Sequence, residues 1–344
     1  MAFTTHLAVD HSGDPRPGDA GYDSVTDLWR RLARPFDPSG TLGAVTGLPV
    51  KETDRLVGLA VAACDEADRL LDAFPRTIRS LATSMHTHAE RCVGEIRGPV
   101  LWSETISARA ASFGNPDVFI CSTPSRAYDV EENQVLVWAL VRVHEAGEAA
   151  QADTTAAPDD TQVRRAWRNG VDAGRFAEHP SLAHVTRRLP GPRALKKIRT
   201  GKKRKAYEPA LAVLDRLAEP VGADDARALC DDRTRAQLDL LLQIVHALEA
   251  RTDNRLPEFR VEHGGLYSGP LQFHHPAAKT TAGRTAGIVV GPLLVDVPDP
   301  LGETSREQAQ ANLEARAGRR HAMVVMEPDD AVLAVERAIE LARG

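Results

Sequence analysis

The chain has 344 residues, which by the ~150-residue prior leaves room for two domains. Hydrophobic residues make up 42% and charged residues 26%, a globular balance that excludes a disordered or collagen-like chain. The net charge of −5 excludes a uniformly basic nucleic-acid coat. No apolar run approaches the ~20 residues a membrane span requires. The opening MAFTTHLAVDHSGD lacks the apolar stretch of a secretion signal, so the expectation is a cytoplasmic protein with no membrane partner. Cys64, Cys92, Cys121 and Cys230 are too far apart for a Cys-x-x-Cys zinc pattern and read as free, buried thiols.

Residues 1–50 are rich in Gly, Pro and Asp and read as an extended segment interrupted by one short helix near Ser24–Ala33. Residues 51–150 open with a long helix, Thr53–Phe74, whose Leu56, Ala60, Ala63, Ala67, Leu70 and Phe74 form one apolar stripe. A second helix is predicted over Pro75–Arg91, with His86 and His88 on different faces. Two strands follow, Val100–Ser107 and Asp117–Ser122, bounded by Gly and Pro. Tyr128–Asn133 then leads into a helix burying Leu136, Ala139, Leu140 and Val143.

Residues 151–225 begin with a polar linker and continue as helices, with Trp167, Val171, Phe176, Leu182 and Val185 as core candidates. They contain the block Arg187–Lys205, ten Lys or Arg in nineteen residues with no acid, so the rest of the chain sums to −15. Ten like charges repel one another, and a polyanion would relieve that repulsion. Lys196, Lys197, Arg199, Lys202, Lys203, Arg204 and Lys205 are the candidate nucleic-acid contacts, with DNA as the expected partner.

In residues 226–344 a helix over Arg233–Ala250 is capped by Asp232 and buries Leu238, Leu241, Leu242, Val245 and Leu248. Three strands follow, Glu258–His263, Leu266–His274 and Ile288–Val297, the first two joined through Gly264-Gly265. A helix starts at Thr304, a fourth strand is His321–Met326, and a last helix begins at Asp329-Asp330. The predicted class is α+β: a mostly helical N-terminal and middle region with a two-strand element, then a domain of order αβββαβ, followed by that last helix.

That order is the core of PD-(D/E)xK restriction endonucleases, whose chemistry needs carboxylates around Mg²⁺ and a lysine beside them. The predicted second strand, LYSGPLQFHHP, has no acid, and two residues after Asp296 stands Pro298 in place of lysine. Glu262, Asp296 and Asp299 are the carboxylates left for a divalent site, so no cofactor is expected unless they assemble one for Mg²⁺. Adjacent His274 and His275 point to opposite faces of a strand, one toward the core and one toward water, and cannot chelate one metal. Phosphate-binding P-loops, nucleophile elbows and Gly-x-Gly-x-x-Gly turns are absent.

The stretch from Gly98 through Trp102 and Thr105 to Glu132 and Asn133, with the later YEPALAVLDRL from Tyr207, resembles McrC-like proteins of McrBC-type restriction systems. The resemblance covers 98–344. It implies a DNA-targeting role in phage defence, a separately encoded AAA+ NTPase subunit as partner, and Mg²⁺ for cleavage. In this chain the nuclease motif is degenerate, so the expectation is a DNA-associated pseudo-nuclease. The alternatives are an active metal-dependent endodeoxyribonuclease with displaced carboxylates and an interaction scaffold that recognises a protein through 98–122. As local chemistry, Glu132-Asn133 is a helix start and Trp102 is a core residue.

Overall fold

The computed structural model describes residues 22–33, 37–151, 161–275, 287–296, 305–317, 320–325 and 330–343. The chain is of mixed α and β structure and divides into two compact units. One takes in 1–60, 149–156 and 217–344; the other takes in 61–148 and 157–216. The described residues of the N-terminal stretch, 22–33 and 37–50, thus fold with the C-terminal sheet, where a mostly extended segment was expected. They contribute α1 (Tyr22–Arg30) and α2 (Pro38–Thr46). Proline at the first turn suits the start of α2. Burial of Leu42, Ala44 and Val45 then outweighs the weak helix propensity of PSGTLGAVT.

The predicted helix Thr53–Phe74 is two helices, α3 (Val50–Ala62) and α4 (Asp65–Thr77). Between them the Cys64 thiol accepts from the Ala67 amide at 3.3 Å and caps α4, whose first turn holds Asp65, Glu66 and Asp68. The predicted helix Pro75–Arg91 is not found, since Pro75–Thr77 only complete α4. After a short 3₁₀ turn, Ile78–Ser80, the chain becomes strand β1 (Ser84–Val93), paired antiparallel over its full length with β2 (Val118–Ala127). The predicted strand Val100–Ser107 is instead mostly helix α5 (Trp102–Ala111). Its buried Thr105 fixes it to β2, the hydroxyl accepting from the Ile120 amide at 2.9 Å. Helices α6 (Glu131–Gln151), α7 (Thr161–Ala177), α8 (Pro192–Thr200) and α9 (Arg204–Ala218) follow. On α7 the buried face is Ala166, Asn169, Gly170, Ala173 and Ala177, so Trp167 and Val171 are exposed against expectation. Small residues win that face because Gly170 lies directly against Gly147, with no room for a Cβ on either.

Helices α10 (Ala223–Leu229) and α11 (Asp232–Thr252) precede the sheet; Asp231, not Asp232, caps α11 by accepting from the Thr234 amide. The three predicted strands are five: β3 (Arg260–Glu262), β4 (Gly265–Ser268), β5 (Leu271–His274), β6 (Gly287–Val290) and β7 (Leu293–Asp296). Gly-Pro turns at Gly269-Pro270 and Gly291-Pro292 split what looked continuous, each glycine at positive φ. After α12 (Arg306–Ala317) comes β8 (His321–Val324), then α13 (Asp330–Arg343). The sheet runs β3-β4-β5-β6-β7-β8 in sequence order, antiparallel except for the parallel β7–β8 pair joined through α12.

Alternation along β6 and β7 sorts the core. Ile288, Val290, Leu293 and Val295 join the large cluster with α11 and α13, whereas Val289 and Leu294 join Leu313 and Ala317 of α12. Asp299, Thr304, Asp329 and residues 152–160 of the predicted linker 149–161 lie outside the described residues, whereas the two ends of that linker, 149–151 and Thr161, are helical in α6 and α7. Among the described residues, no helix is long and apolar enough to cross a membrane.

Candidate nucleic-acid interface

The cationic block occupies α8 and its turn into α9. Lys196, Lys197, Arg199, Lys202, Lys203, Arg204 and Lys205 are all exposed. Two of the seven are used within the fold. Arg199 forms a two-pronged pair with Asp215 at 3.0 and 2.6 Å, which raises its pKa. Lys203 donates its ammonium to the Leu81 carbonyl at 2.9 Å, at the end of the 3₁₀ turn. Among the described residues, Lys196, Lys197, Lys202, Arg204 and Lys205 have no ion pair.

Below this turn lies a buried polar cluster. Asn133, at the start of α6, donates to the carbonyls of Tyr128 at 2.7 Å and Ala82 at 2.9 Å. Its oxygen accepts from the Tyr207 hydroxyl at 2.5 Å, and that hydroxyl accepts from the Ala82 amide at 2.8 Å. Asn133 and Tyr207 are fully buried, and burial pushes the Tyr207 phenol up to about 12. The cluster ties α6, α9 and the segment before β1 together. It also holds Ala82, the residue after Leu81, whose carbonyl accepts from Lys203. Glu132, next to Asn133, is half-buried and faces Lys202, Lys203 and Arg204 across a cleft of about 220 Å³.

The other singled-out residues of this unit divide by role. A Cβ on Gly98 would lie 2.5 Å from the Ser122 carbonyl, so only glycine allows the 98–101 segment to approach β2. Trp102 is 61% exposed, against the expected core position, because Thr105 sets which face of α5 turns inward.

The two described carboxylate candidates, Glu262 and Asp296, do not come together. Glu262 is exposed on β3, and Asp296 ends β7, four strands away, a separation of roughly 19 Å at ~4.8 Å per strand. Asp296 is buried, and both its oxygens are engaged. One accepts from the Gln237 amide at 2.7 Å, the other from Arg316 at 2.8 Å, with Arg233 at 3.9 Å. Mg²⁺ demands oxygen ligands, and here donors occupy the positions a cation would need, so the described residues do not fit a Mg²⁺ site. No group of three His, Cys, Asp or Glu among the described residues could hold a metal ion.

Both histidines of the pair are buried, where one was expected in water. His274 meets the Tyr267 hydroxyl at 2.9 Å, and His275 meets the Thr234 hydroxyl at 2.8 Å. Burial lowers the His275 pKa and Arg233 adds to that, against Asp231 and Asp296. Sequence reasoning missed Arg316, Gln237 and Tyr207 as partners. Only the Tyr207 segment left a signal, through the YEP motif. A scan against family models and searches of curated proteins and of solved structures found no match to this chain.

Proposed function

We propose that the protein is a DNA-associated, McrC-like subunit of a restriction system, reaching its target through the cations of α8 and the α8–α9 turn and not through a nuclease centre. The observation that carries this reading is the contrast in charge. Five lysine and arginine side chains stand exposed together and, among the described residues, none of them is in an ion pair, in a chain that is otherwise acidic. Each cation placed against a phosphate releases a condensed counterion, so such a face binds duplex without reading its sequence. An antiparallel meander, a helix and a parallel strand in succession also support a restriction-like domain, with five meander strands here where the αβββαβ order has three. On this reading Asp296 is a degenerate relic of the nuclease position, its charge balanced by Arg316, and a separate AAA+ NTPase subunit is the partner.

The test is retention of duplex DNA at low salt by the intact chain, with Lys196, Lys197 and Lys205 replaced by Glu together. Retention is expected in the parent and lost in the variant, with no Mg²⁺- or Mn²⁺-dependent cleavage by either. Unchanged retention overturns the interface. Cleavage abolished by Asp296→Ala overturns the pseudo-nuclease assignment.

A second reading, an interaction scaffold built on 98–122, is favoured by exposed Trp102, Ile106 and Phe113 on and beyond α5. It predicts capture of a partner protein that survives nuclease and high salt and is lost in Trp102→Ala.

A further inference from the structure

We infer that the cleft between Glu132 and the Lys202–Arg204 turn is a phosphomonoester site that takes the 5′-terminal phosphate of a nucleic-acid strand. The inference rests on the nucleic-acid reading above and narrows it to one feature of the ligand.

The cleft holds about 220 Å³. Pockets for drug-sized ligands run ~300–1,000 Å³, so this one suits a single phosphate group better than a whole nucleotide. Its charged lining is Lys202, Lys203, Arg204 and Glu132, a net +2. A phosphomonoester carries about −1.5 to −2 at neutral pH, whereas a backbone diester carries one negative charge. The terminal group is therefore the better charge match.

The cleft is also built before any ligand arrives. Lys203 Nζ is held on the Leu81 carbonyl at 2.9 Å, which leaves part of its donor capacity for a ligand. The next residue, Ala82, lines the cleft and has both its backbone groups held by the buried Asn133–Tyr207 pair. A cation positioned in this way costs little reorganisation on binding. Ile198 supplies an apolar patch of wall. Lys196, Lys197 and Lys205, exposed on α8 and the start of α9, offer contacts for the phosphates that follow the terminal one. That continuity favours a nucleic-acid strand over an isolated phosphoserine.

The experiment compares one single-stranded oligonucleotide bearing a 5′-phosphate with the same oligonucleotide ending in a 5′-hydroxyl, by anisotropy competition at fixed salt. The 5′-phosphate form is expected to bind about tenfold tighter, the order of one added charge-assisted hydrogen bond. Lys202→Ala with Arg204→Ala removes that preference, and Glu132→Gln increases it. Lys203 is left intact because it holds the local fold, and the thermal transition of each variant checks folding. Equal binding of the two oligonucleotides overturns the terminal-phosphate site. If that binding is also lost on reversal of Lys196, Lys197 and Lys205, the backbone reading stands alone. Binding of neither oligonucleotide overturns the terminal-phosphate site, while retention of duplex DNA tests the backbone reading separately. A phosphoserine peptide that competes as well as the 5′-phosphate oligonucleotide overturns the assignment to nucleic acid.

Discussion

Asp296 and the Lys202–Lys205 turn are the two places where the sequence most strongly suggests chemistry, and the fold treats their charges in opposite ways. Asp296 is 3% exposed, and each of its oxygens already has a donor, Gln237 on one side and Arg316 on the other. The lysines and Arg204 of the turn lie in water, with only Lys203 held by the fold. A carboxylate saturated by its own chain reaches a ligand only by breaking structure, and releasing it uncovers a buried charge. An exposed cation makes a new contact by shedding water and counterions. Residue type made both places candidates, and internal bonding separates them.

The contrast is broken most severely at the buried cluster beneath the turn. Asn133→Ala removes the acceptor of the Tyr207 hydroxyl and the donor to two carbonyls, at a cost of about 3–4 kcal/mol. Lys205→Ala, on the surface above, shifts stability by no more than ~0.5 kcal/mol. Denaturant unfolding of the two variants makes the comparison. Next in size is the arginine pair. Arg316→Met leaves the buried Asp296 short of its guanidinium and costs roughly 1–3 kcal/mol. The exposed Arg199–Asp215 pair is worth about 0–1 kcal/mol, so Arg199→Met falls well below it. Equal effects would erase the distinction between spent and open charge.

A smaller effect is expected at the sheet edge. Gln310 of α12 donates to the Ala322 carbonyl and accepts from the Val324 amide, as a neighbouring strand would. Its side chain closes the outer edge of β8 against added strands. Gln310→Ala uncovers that edge, and concentration-dependent self-association should appear in sedimentation velocity.

The smallest effect concerns pH. Burial lowers the His275 pKa, so in the fold it takes up its proton only at lower pH than in the unfolded chain, which does so below about pH 6.5. The unfolded state therefore binds more protons in that window, and stability declines as pH falls through it. Carboxylates held low, such as Glu249 beside Arg31 and Asp129 beside Gln134, lose their contribution only in more acidic solution. Urea midpoints from about pH 6.5 to 5 should slope in the parent and flatten in His275→Asn.

Much of the helical framework was legible in the sequence, because α6 and α11 carry apolar positions at helical spacing and those positions are buried. Strand β1 was not. Most of its residues are exposed, so no alternation marks it, and its strand state comes from pairing with β2. The tail strands were visible as apolar runs, but the Gly-Pro turns that divide them were read through. At the candidate site, the cationic block was plain from composition. The saturation of Asp296 was not, since Gln237 and Arg316 lie 59 and 20 residues away in the chain.

The central claim, that open cations and not a carboxylate centre join this protein to nucleic acid, is tested most directly by the salt dependence of duplex binding. Five open cations on phosphates give a slope of log K against log salt of roughly −4 to −5, falling by about three when Lys196, Lys197 and Lys205 become Glu. A slope that does not change on that replacement contradicts the account.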